Sequence, residues 1–290
     1  MPAVDANGIT IEYEVTGDGE PLLLVMGLGG QLTDWHPDFV AQLAGAGFTV
    51  ITFDNRDQGL STEFDWQPPG QVQAVLGGLA KRPPSAEYLL SDMAADAVGL
   101  LDALEIESAH VVGMSMGGMI SQTIAIEHPQ RVRSLTSIMS NTGDGKNGLI
   151  AKKMMAKLAR MKPAVTVDEG IERSVAIFEN ISGTEFDADA TRERATLSLK
   201  RSFRPVGTER QTAAIMASPD RTAGLGGVTA PTLVIHGMLD LLVKPSGGVA
   251  TAAAVPGSRL VMYPEMGHDL PPSRWTEMIE EIRRNADRAS

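Results

Sequence analysis

The sequence predicts an α/β protein, with a mostly parallel central sheet covered by helices on both faces. Short, continuously apolar runs alternate with segments of helical periodicity, which is typical of strands buried on both faces. A Gly-x-Ser-x-Gly sequence at residues 113–117 follows one such run and precedes a helical segment. The alternation breaks once, at residues 141–227, where only helical patterns occur. These residues, called the helical insertion below, are therefore predicted to interrupt the core.

The first half of the chain contains six predicted strands. Asn7-Gly8 is a preferred pair for a two-residue turn with positive φ at both positions, so residues 2–15 are predicted to form a β-hairpin. Four further apolar runs are predicted strands, at residues 22–26, 48–53, 110–112 and 134–139. Amphipathic spacing predicts helices at residues 34–45, 88–104 and 119–128.

The second half begins with the helical insertion and then returns to the α/β pattern. Helices are predicted within the insertion at residues 149–161, 168–180, 188–201 and 209–217. The segments that follow are a strand at 232–235, a helix at 246–254, a strand at 259–263 and a helix at 275–286. The predicted organisation is a core of residues 1–140 and 228–290 with a helical cap of residues 141–227. A Pro- and Gly-rich stretch at residues 62–85 is long for a loop and is expected to form a wall of the entrance to the site.

Composition excludes several classes of protein. A net charge of -11 argues against nucleic acid or an anionic membrane as a partner, because both need a basic face. No apolar run approaches the roughly 20 residues that span a bilayer. With no cysteine, the chain has neither disulfides nor thiolate metal sites. The first ten residues lack the features of a signal peptide, so the cytoplasm is the expected compartment. The expected partner is a small molecule, and a homodimer is left open.

The Gly-x-Ser-x-Gly sequence lies between a predicted strand and a predicted helix, the context of a nucleophile elbow. Ser115 is the candidate nucleophile. Gly113 and Gly117 are expected where a Cβ would collide with the neighbouring strand or helix. The Met116 amide, at the start of the helix, is expected to point at the position of a developing oxyanion. The alternative interpretation is a Gly-rich helix cap.

A serine hydroxyl needs a base that accepts its proton and an acid that orients the base. Among the five histidines, His268 lies in a Gly-containing loop after the last predicted strand, and it is the candidate base. Asp240 follows the strand at residues 232–235 and is the candidate acid, at the strand ends where ligands bind in open parallel sheets. Asp144 is the rival acid, and an ordinary loop histidine is the alternative for His268. Asp240 fits the order Ser, Asp, His, and the loop of the rival begins with Asn141, which has no charge to hold an imidazolium.

A second oxyanion donor is expected in the Gly-rich loop after the strand at residues 22–26. The Leu28 amide is the candidate, because glycines at positions 27, 29 and 30 would let this backbone approach a substrate carbonyl. The alternative is a Gly-rich turn without a role in binding.

Methionines are concentrated in or beside these motif loops. If several face the site, the pocket is apolar and deformable, which favours an ester with an apolar acyl or alcohol part. Methionine as an ordinary core residue is the alternative. The predicted pocket residues are Met26, Gly27, Met114, Met238 and Met266.

These residues together resemble the α/β-hydrolase fold superfamily, over nearly the whole chain. Residues 113–117, Asp240 and His268 match its catalytic residues in order and position. Val-Met-Gly at residues 25–27 and Ser-Met-Gly at residues 115–117 are similar to the small serine esterases that include the anthracycline methylesterases.

The resemblance implies hydrolysis of a carboxylic ester through an acyl-enzyme on Ser115, with His268 as base and Asp240 as acid. It implies no metal and no organic cofactor, and a structural role for Arg56 and Asp57. Three alternatives use the same fold. They are a carbon–carbon bond hydrolase, a cofactor-free perhydrolase or haloperoxidase, and a ligand-binding receptor without catalysis.

Overall fold

The computed structural model describes residues 2–69 and 85–289, and it contains one eight-stranded sheet. The sheet order is β1-β2-β4-β3-β5-β6-β7-β8. β1 and β2 are antiparallel to their neighbours, whereas every pair from β4 through β8 is parallel. The strands are β1 Ala3–Ala6, β2 Ile9–Thr16, β3 Glu20–Val25, β4 Phe48–Phe53, β5 Ala109–Met114, β6 Val132–Ile138, β7 Thr232–Gly237 and β8 Arg259–Tyr263. The predicted α/β class with a mostly parallel sheet is confirmed.

Helices pack on both faces of this sheet. Within the described residues they are α1 Pro37–Gly45, α2 Leu90–Ala103, α3 Met116–Glu127, α4 Lys152–Leu158, α5 Val167–Ile181, α6 Ala188–Arg201, α7 Pro205–Ala217, α8 Thr222–Leu225, α9 Ser246–Ala254 and α10 Trp275–Ala286. No helix in these residues is both long and apolar enough to cross a membrane.

The core consists of two apolar clusters, one on each face of the sheet. Leu23 and Val111 point to the cluster that contains α2 and α3. Leu22 and Val112 point to the opposite cluster, which contains α1 and α10. Successive strand residues alternate between the faces, and both faces are covered, so consecutive residues such as 22–25 and 111–112 are all apolar. This double burial explains the continuous apolar runs in the sequence.

The parallel strands bring their following loops to one edge of the sheet. β3, β5, β7 and β8 are adjacent to one another or separated only by β6. The loop or turn after each of them contains one part of the predicted site. The topology therefore places four separate sequence motifs at the same edge.

The helical insertion, whose residues are all described, joins β6 to β7 through helices α4 to α8 and contains no strand. α7 begins at Pro205 rather than at residue 209, because proline is well suited to the first turn of a helix. α4 covers only Lys152–Leu158, less than the predicted 149–161. Of the expected entrance wall at residues 62–85, positions 70–84, including Val75 and Leu76, lie outside the described residues.

Candidate active site

Ser115 occupies a sharp turn between β5 and α3. Its φ of 57° and ψ of -119° are strained for a residue with a side chain. A Cβ built on Gly113 would lie 2.1 Å from the Gly117 carbonyl oxygen, and one built on Gly117 would lie 1.9 Å from the Val25 carbonyl oxygen. Only glycine fits either position, so the tight contact between β5, α3 and β3 explains both glycines of the motif.

His268 connects the candidate nucleophile and the candidate acid. Its Nε2 lies 3.0 Å from Ser115 Oγ, and its Nδ1 lies 2.7 Å from Asp240 Oδ2. An ionised carboxylate only accepts hydrogen bonds, so Nδ1 carries the proton. Nε2 is then free to accept the proton of the serine hydroxyl. The structure thus brings together three residues that are far apart in the chain, since Ser115 lies 153 positions before His268 and Asp240 lies 28 positions before it.

Asp240 is buried at the end of β7 and remains ionised. Its Oδ1 accepts hydrogen bonds from the Leu242 and Val243 amides, each at 2.8 Å. Burial alone would raise the pKa of Asp240, but the positive charge of His268 and hydrogen bonds from His236, His268 and Val243 lower it to about 2. The Asp240 carboxylate is therefore charged at neutral pH and can stabilise an imidazolium at His268.

His236 is a neighbour of Asp240 that the sequence analysis does not place in the site. It is fully buried, and its Nε2 lies 3.4 Å from Asp240 Oδ2 and 2.8 Å from the Val243 carbonyl oxygen. The signal in the sequence is its position four residues before Asp240, at the end of the same strand. His236 supports the loop that holds the acid.

Asp144, the rival acid, is engaged in its own turn. Its carboxylate accepts hydrogen bonds from the Lys146 amide at 2.8 Å and from Asn147, through the backbone at 2.8 Å and the side chain at 2.6 Å. Slight burial acts to raise the pKa of Asp144, but these hydrogen bonds outweigh it and lower the pKa below its ordinary value. His268 Nδ1 donates its hydrogen bond to Asp240 instead.

The Gly-rich loop after β3 forms a tight turn beside Ser115. The Gly30 amide donates to the Gly27 carbonyl at 3.2 Å, and Gly29 has a φ of 73°. Positive φ at the third residue is the mark of a type II turn. A Cβ on Gly27 would lie 3.2 Å from Ser115 Cβ, so this backbone passes directly by the candidate nucleophile. The Leu28 amide belongs to this turn, and the Met116 amide opens α3 on the other side.

The predicted pocket methionines divide into two groups. Met26 and Met266 are buried in the cluster that contains α1 and α10, and Met114 packs against it. Met238 is 55% exposed beside the loop that carries Asp240. Packing in the core accounts for the first group. A role for any of them in a substrate pocket stays a prediction.

Arg56 and Asp57 form buried ion pairs. Arg56 binds both carboxylate oxygens of Asp96, with nitrogen–oxygen distances of 2.6 and 2.7 Å. Asp57 accepts from Arg210 at 3.0 Å and from the Tyr88 hydroxyl at 2.7 Å. These contacts hold the loop after β4 against α2 and α7, which agrees with the structural role implied by the resemblance.

The helical insertion hydrogen-bonds to three core loops of the candidate site. These are the loop with Asp240, the loop with His268 and the turn with Leu28. The bonded pairs are Ala151 N with Leu241 O at 2.9 Å, His268 N with Ile181 O at 2.7 Å, and Gly29 N with Gln211 Oε1 at 2.9 Å. The sequence prediction does not include Gln211. Its helical neighbours give no signal for a contact with a residue 182 positions away.

Across residues 2–69 and 85–289, no group of three or more His, Asp or Glu side chains is placed to hold a metal ion. The titratable groups that meet at the sheet edge are instead arranged as one linear series of hydrogen bonds from carboxylate through imidazole to hydroxyl. Such a series can remove the proton of the hydroxyl and return it to a leaving group.

A family model described as the alpha/beta hydrolase fold matches residues 20–272, and the chain belongs to this family. Rhodomycin D methylesterase DnrP of Streptomyces peucetius is 32% identical over 289 residues, covering 91% of this chain and 90% of that protein. The 2-hydroxymuconate semialdehyde hydrolase of a Pseudomonas species is 27% identical and covers 83% of this chain and 85% of its own length. A solved meta-cleavage product hydrolase from Pseudomonas fluorescens, 18% identical, superposes with a TM-score of 0.77 over 100% of this chain and 98% of that chain. The similarity to this solved structure shows the fold alone.

Proposed function

We propose that this protein is a serine esterase that hydrolyses carboxylic esters through an acyl-enzyme. The chain is a carboxylic ester hydrolase of the α/β-hydrolase family, related at 32% identity to a methylesterase. The observation that carries the proposal is the pair of hydrogen bonds at His268, 3.0 Å to Ser115 and 2.7 Å to Asp240. They give the serine at the elbow a base with a fixed tautomer.

Acylation begins when Ser115 Oγ attacks the ester carbonyl carbon. The hydroxyl proton passes to His268 Nε2, and the carbonyl oxygen becomes an oxyanion. The Met116 and Leu28 amides donate hydrogen bonds to this oxyanion, where the charge develops. His268 then returns the proton to the alcohol oxygen as the carbon–oxygen bond breaks. The alcohol leaves, and the acyl group stays on Ser115.

Deacylation repeats these steps with water as the nucleophile. His268 Nε2 removes a proton from water as its oxygen attacks the acyl carbon. The second tetrahedral intermediate collapses to the carboxylic acid, and Ser115 Oγ regains a proton from the imidazolium. Asp240, whose pKa is about 2, keeps its charge in both half-reactions and holds the Nδ1 proton in place.

The helical insertion is proposed to act as the cap of residues 141–227 over a core of residues 1–140 and 228–290. Its hydrogen bonds to the loops of Asp240, His268 and Leu28 support this position. The Leu28 and Met238 side chains are 41% and 55% exposed beside these loops and offer apolar surface to a substrate. A small ester with an apolar acyl or alcohol group fits such a surface.

The test is a series of p-nitrophenyl esters of increasing acyl length, assayed with the wild-type protein, Ser115→Ala and Asp144→Asn. The proposal predicts turnover by the wild type and by Asp144→Asn, and a loss of several orders of magnitude in Ser115→Ala. Intact-mass measurement during turnover should find the acyl group added to the wild type alone. Equal hydrolysis by the wild type and Ser115→Ala would refute the proposal.

Carbon–carbon bond hydrolysis is the second candidate, because a relative at 27% identity is named for 2-hydroxymuconate semialdehyde hydrolysis. The same three residues would serve a β-diketone or dienoate substrate. Comparison of kcat/KM for a dienoate, followed by the loss of its absorbance, with that for p-nitrophenyl butyrate separates the two. A higher value for the dienoate would replace the ester assignment.

A further inference from the structure

The helix α7 of the helical insertion is fixed against the core at the loop after β4. A Cβ on Gly207 would lie 2.1 Å from the Asp57 carbonyl oxygen, so the two backbones touch. One turn further along α7, Arg210 donates to Asp57 Oδ1 at 3.0 Å and to the Trp66 carbonyl at 2.6 Å. Arg210 and Asp57 are both buried. The backbone contact and this buried ion pair fix the position of the next residue, Gln211.

Gln211 is fully buried, and both ends of its amide are bonded to core loops. Its Oε1 accepts from the Gly29 amide at 2.9 Å, and its Nε2 donates to the Arg56 carbonyl at 2.8 Å. α7 also packs on the same turn, because a Cβ on Gly29 would lie 2.9 Å from Thr208 Oγ1. One side chain from the insertion therefore joins the loop after β3 to the loop after β4.

The bond to Gly29 determines which way one peptide of the turn points. The Gly29 N–H belongs to the peptide that links Leu28 to Gly29. In a type II turn this peptide is rotated by about 180° relative to a type I turn. Rotation would remove the N–H from Gln211 Oε1 and turn the Leu28 carbonyl oxygen towards it, so two acceptors would meet. Gln211 thus stabilises the type II form of this turn, whose first residue, Gly27, lies beside Ser115.

We infer that Gln211 is a positioning residue for the oxyanion hole, acting through the turn that carries the Leu28 amide. The inference rests on the proposed function and adds a residue of the helical insertion to it. Gln211 does not touch the substrate. It acts on the transition state, because the oxyanion donors must be in place before the charge develops. The insertion then contributes to the chemical step as well as to substrate choice.

The test compares wild type with Gln211→Leu, which keeps the size of the side chain and removes both hydrogen bonds. We expect kcat for p-nitrophenyl butyrate to fall about 10- to 100-fold, less than the loss of an oxyanion donor itself, with KM changed less than about threefold. Affinity for phenylboronic acid, which forms a tetrahedral adduct on the serine, should fall by a similar factor. Affinity for butyrate, the planar product, should not change.

Two further variants of Gln211 test whether the acceptor for the Gly29 amide is what matters. Gln211→Glu retains an acceptor for the Gly29 amide and is expected to recover at least about tenfold of the lost kcat. Gln211→Asn withdraws the oxygen by one methylene and should lose kcat even if Gln211→Leu does not fold. The matched control is Gln122→Leu, since Gln122 is another fully buried glutamine that bonds the insertion, through Arg221 at 3.1 Å. The hydrogen bonds of Gln122 are to Ser137 and Arg221 rather than to the turn, so Gln122→Leu should lose stability while keeping kcat within about threefold.

The outcomes separate the inference from the proposed function. If Ser115→Ala abolishes hydrolysis and the folded Gln211 variants match wild type, the inference is wrong and the proposed function stands. If kcat falls in Gln211→Leu while boronate affinity is unchanged, Gln211 acts elsewhere and the inference is again wrong. If wild type and Ser115→Ala do not differ, the proposed function fails and the inference fails with it.

Discussion

At the scale of single residues, Asp240 combines a fixed charge with a fixed position. Its Oδ1 is held by two amides, so Oδ2 is available for His268. Asp240→Asn should lower kcat for p-nitrophenyl acetate by roughly 10³- to 10⁴-fold, because an amide at this position favours the wrong imidazole tautomer. Asp144→Asn is the control and should keep kcat within about twofold. The reverse ranking of the two variants would make Asp144 the acid.

His110 should make stability depend on pH. Burial lowers the pKa of His110 to about 4 from 6.5, and the charges of Arg133 and Arg283 act in the same direction, against Glu20. In the unfolded chain the His110 imidazole binds a proton below pH 6.5, whereas in the folded protein it stays neutral down to about pH 4. The free energy of unfolding is therefore highest above pH 6.5 and decreases as the pH falls towards 4. The loss is about 3 kcal/mol.

Urea unfolding between pH 7 and pH 4 measures this effect. The glutamine in His110→Gln cannot titrate. Between pH 7 and pH 4 the free energy of unfolding of this variant should therefore decrease by about 3 kcal/mol less than that of the wild type. If wild type and His110→Gln lose stability in parallel over this range, His110 is not the group responsible.

At the scale of secondary-structure elements, the contact between α3 and β3 leaves no space for a side chain. A Cβ at Gly117 would lie 1.9 Å from the Val25 carbonyl, so Gly117→Ala must push the elbow helix away from the strand. We expect a loss of about 3 kcal/mol in unfolding free energy, at the upper end of the usual cost of overpacking.

The matched control is Gly45→Ala, at the end of α1, where an added Cβ meets nothing within 4 Å. It should be neutral or stabilise the protein by up to about 1 kcal/mol. Urea unfolding at neutral pH measures both variants. Equal unfolding free energies for the two would show that the elbow can relax.

Elements with a strong local signal could be predicted from the sequence, and those set by distant contacts could not. β8 at Arg259–Tyr263 and α6 at Ala188–Arg201 have the predicted bounds. The order Ser115, Asp240, His268 led to three side chains that the sheet brings together. The support of Gly29 by Gln211 depends on packing between segments 182 positions apart in the chain. Periodicity carries no information about such contacts.

At the scale of the whole molecule, the helical insertion and the core share one hydrogen-bond network at the site. If the insertion were only a lid over the site, its removal would spare the hydrolysis of small esters. The structure leads to a different expectation, because replacing residues 141–227 with a short linker removes the partners of Leu241, His268 and Gly29. Activity on p-nitrophenyl acetate and p-nitrophenyl decanoate should both fall by at least about 100-fold.

The control for this deletion is Leu197→Ala, since Leu197 is 64% exposed on α6 and its truncation should leave both activities unchanged. Circular dichroism would establish that the shortened chain is folded. A folded deletion that retains hydrolysis of the acetate ester and loses only that of the decanoate ester would restore the interpretation as a simple lid.

The hydrogen bonds that the Gly29 and His268 amides donate to Gln211 and Ile181 also limit how this fold can be recombined. A chimera that takes residues 141–227 from a homologue and the rest from this chain separates each pair at the crossover points. Such a hybrid acquires the substrate-facing surface of the homologue, but the hydrogen bonds between its insertion and the loops of the site come from two different proteins. Libraries built by shuffling should therefore transfer both members of each pair as a unit, even though they are far apart in the gene.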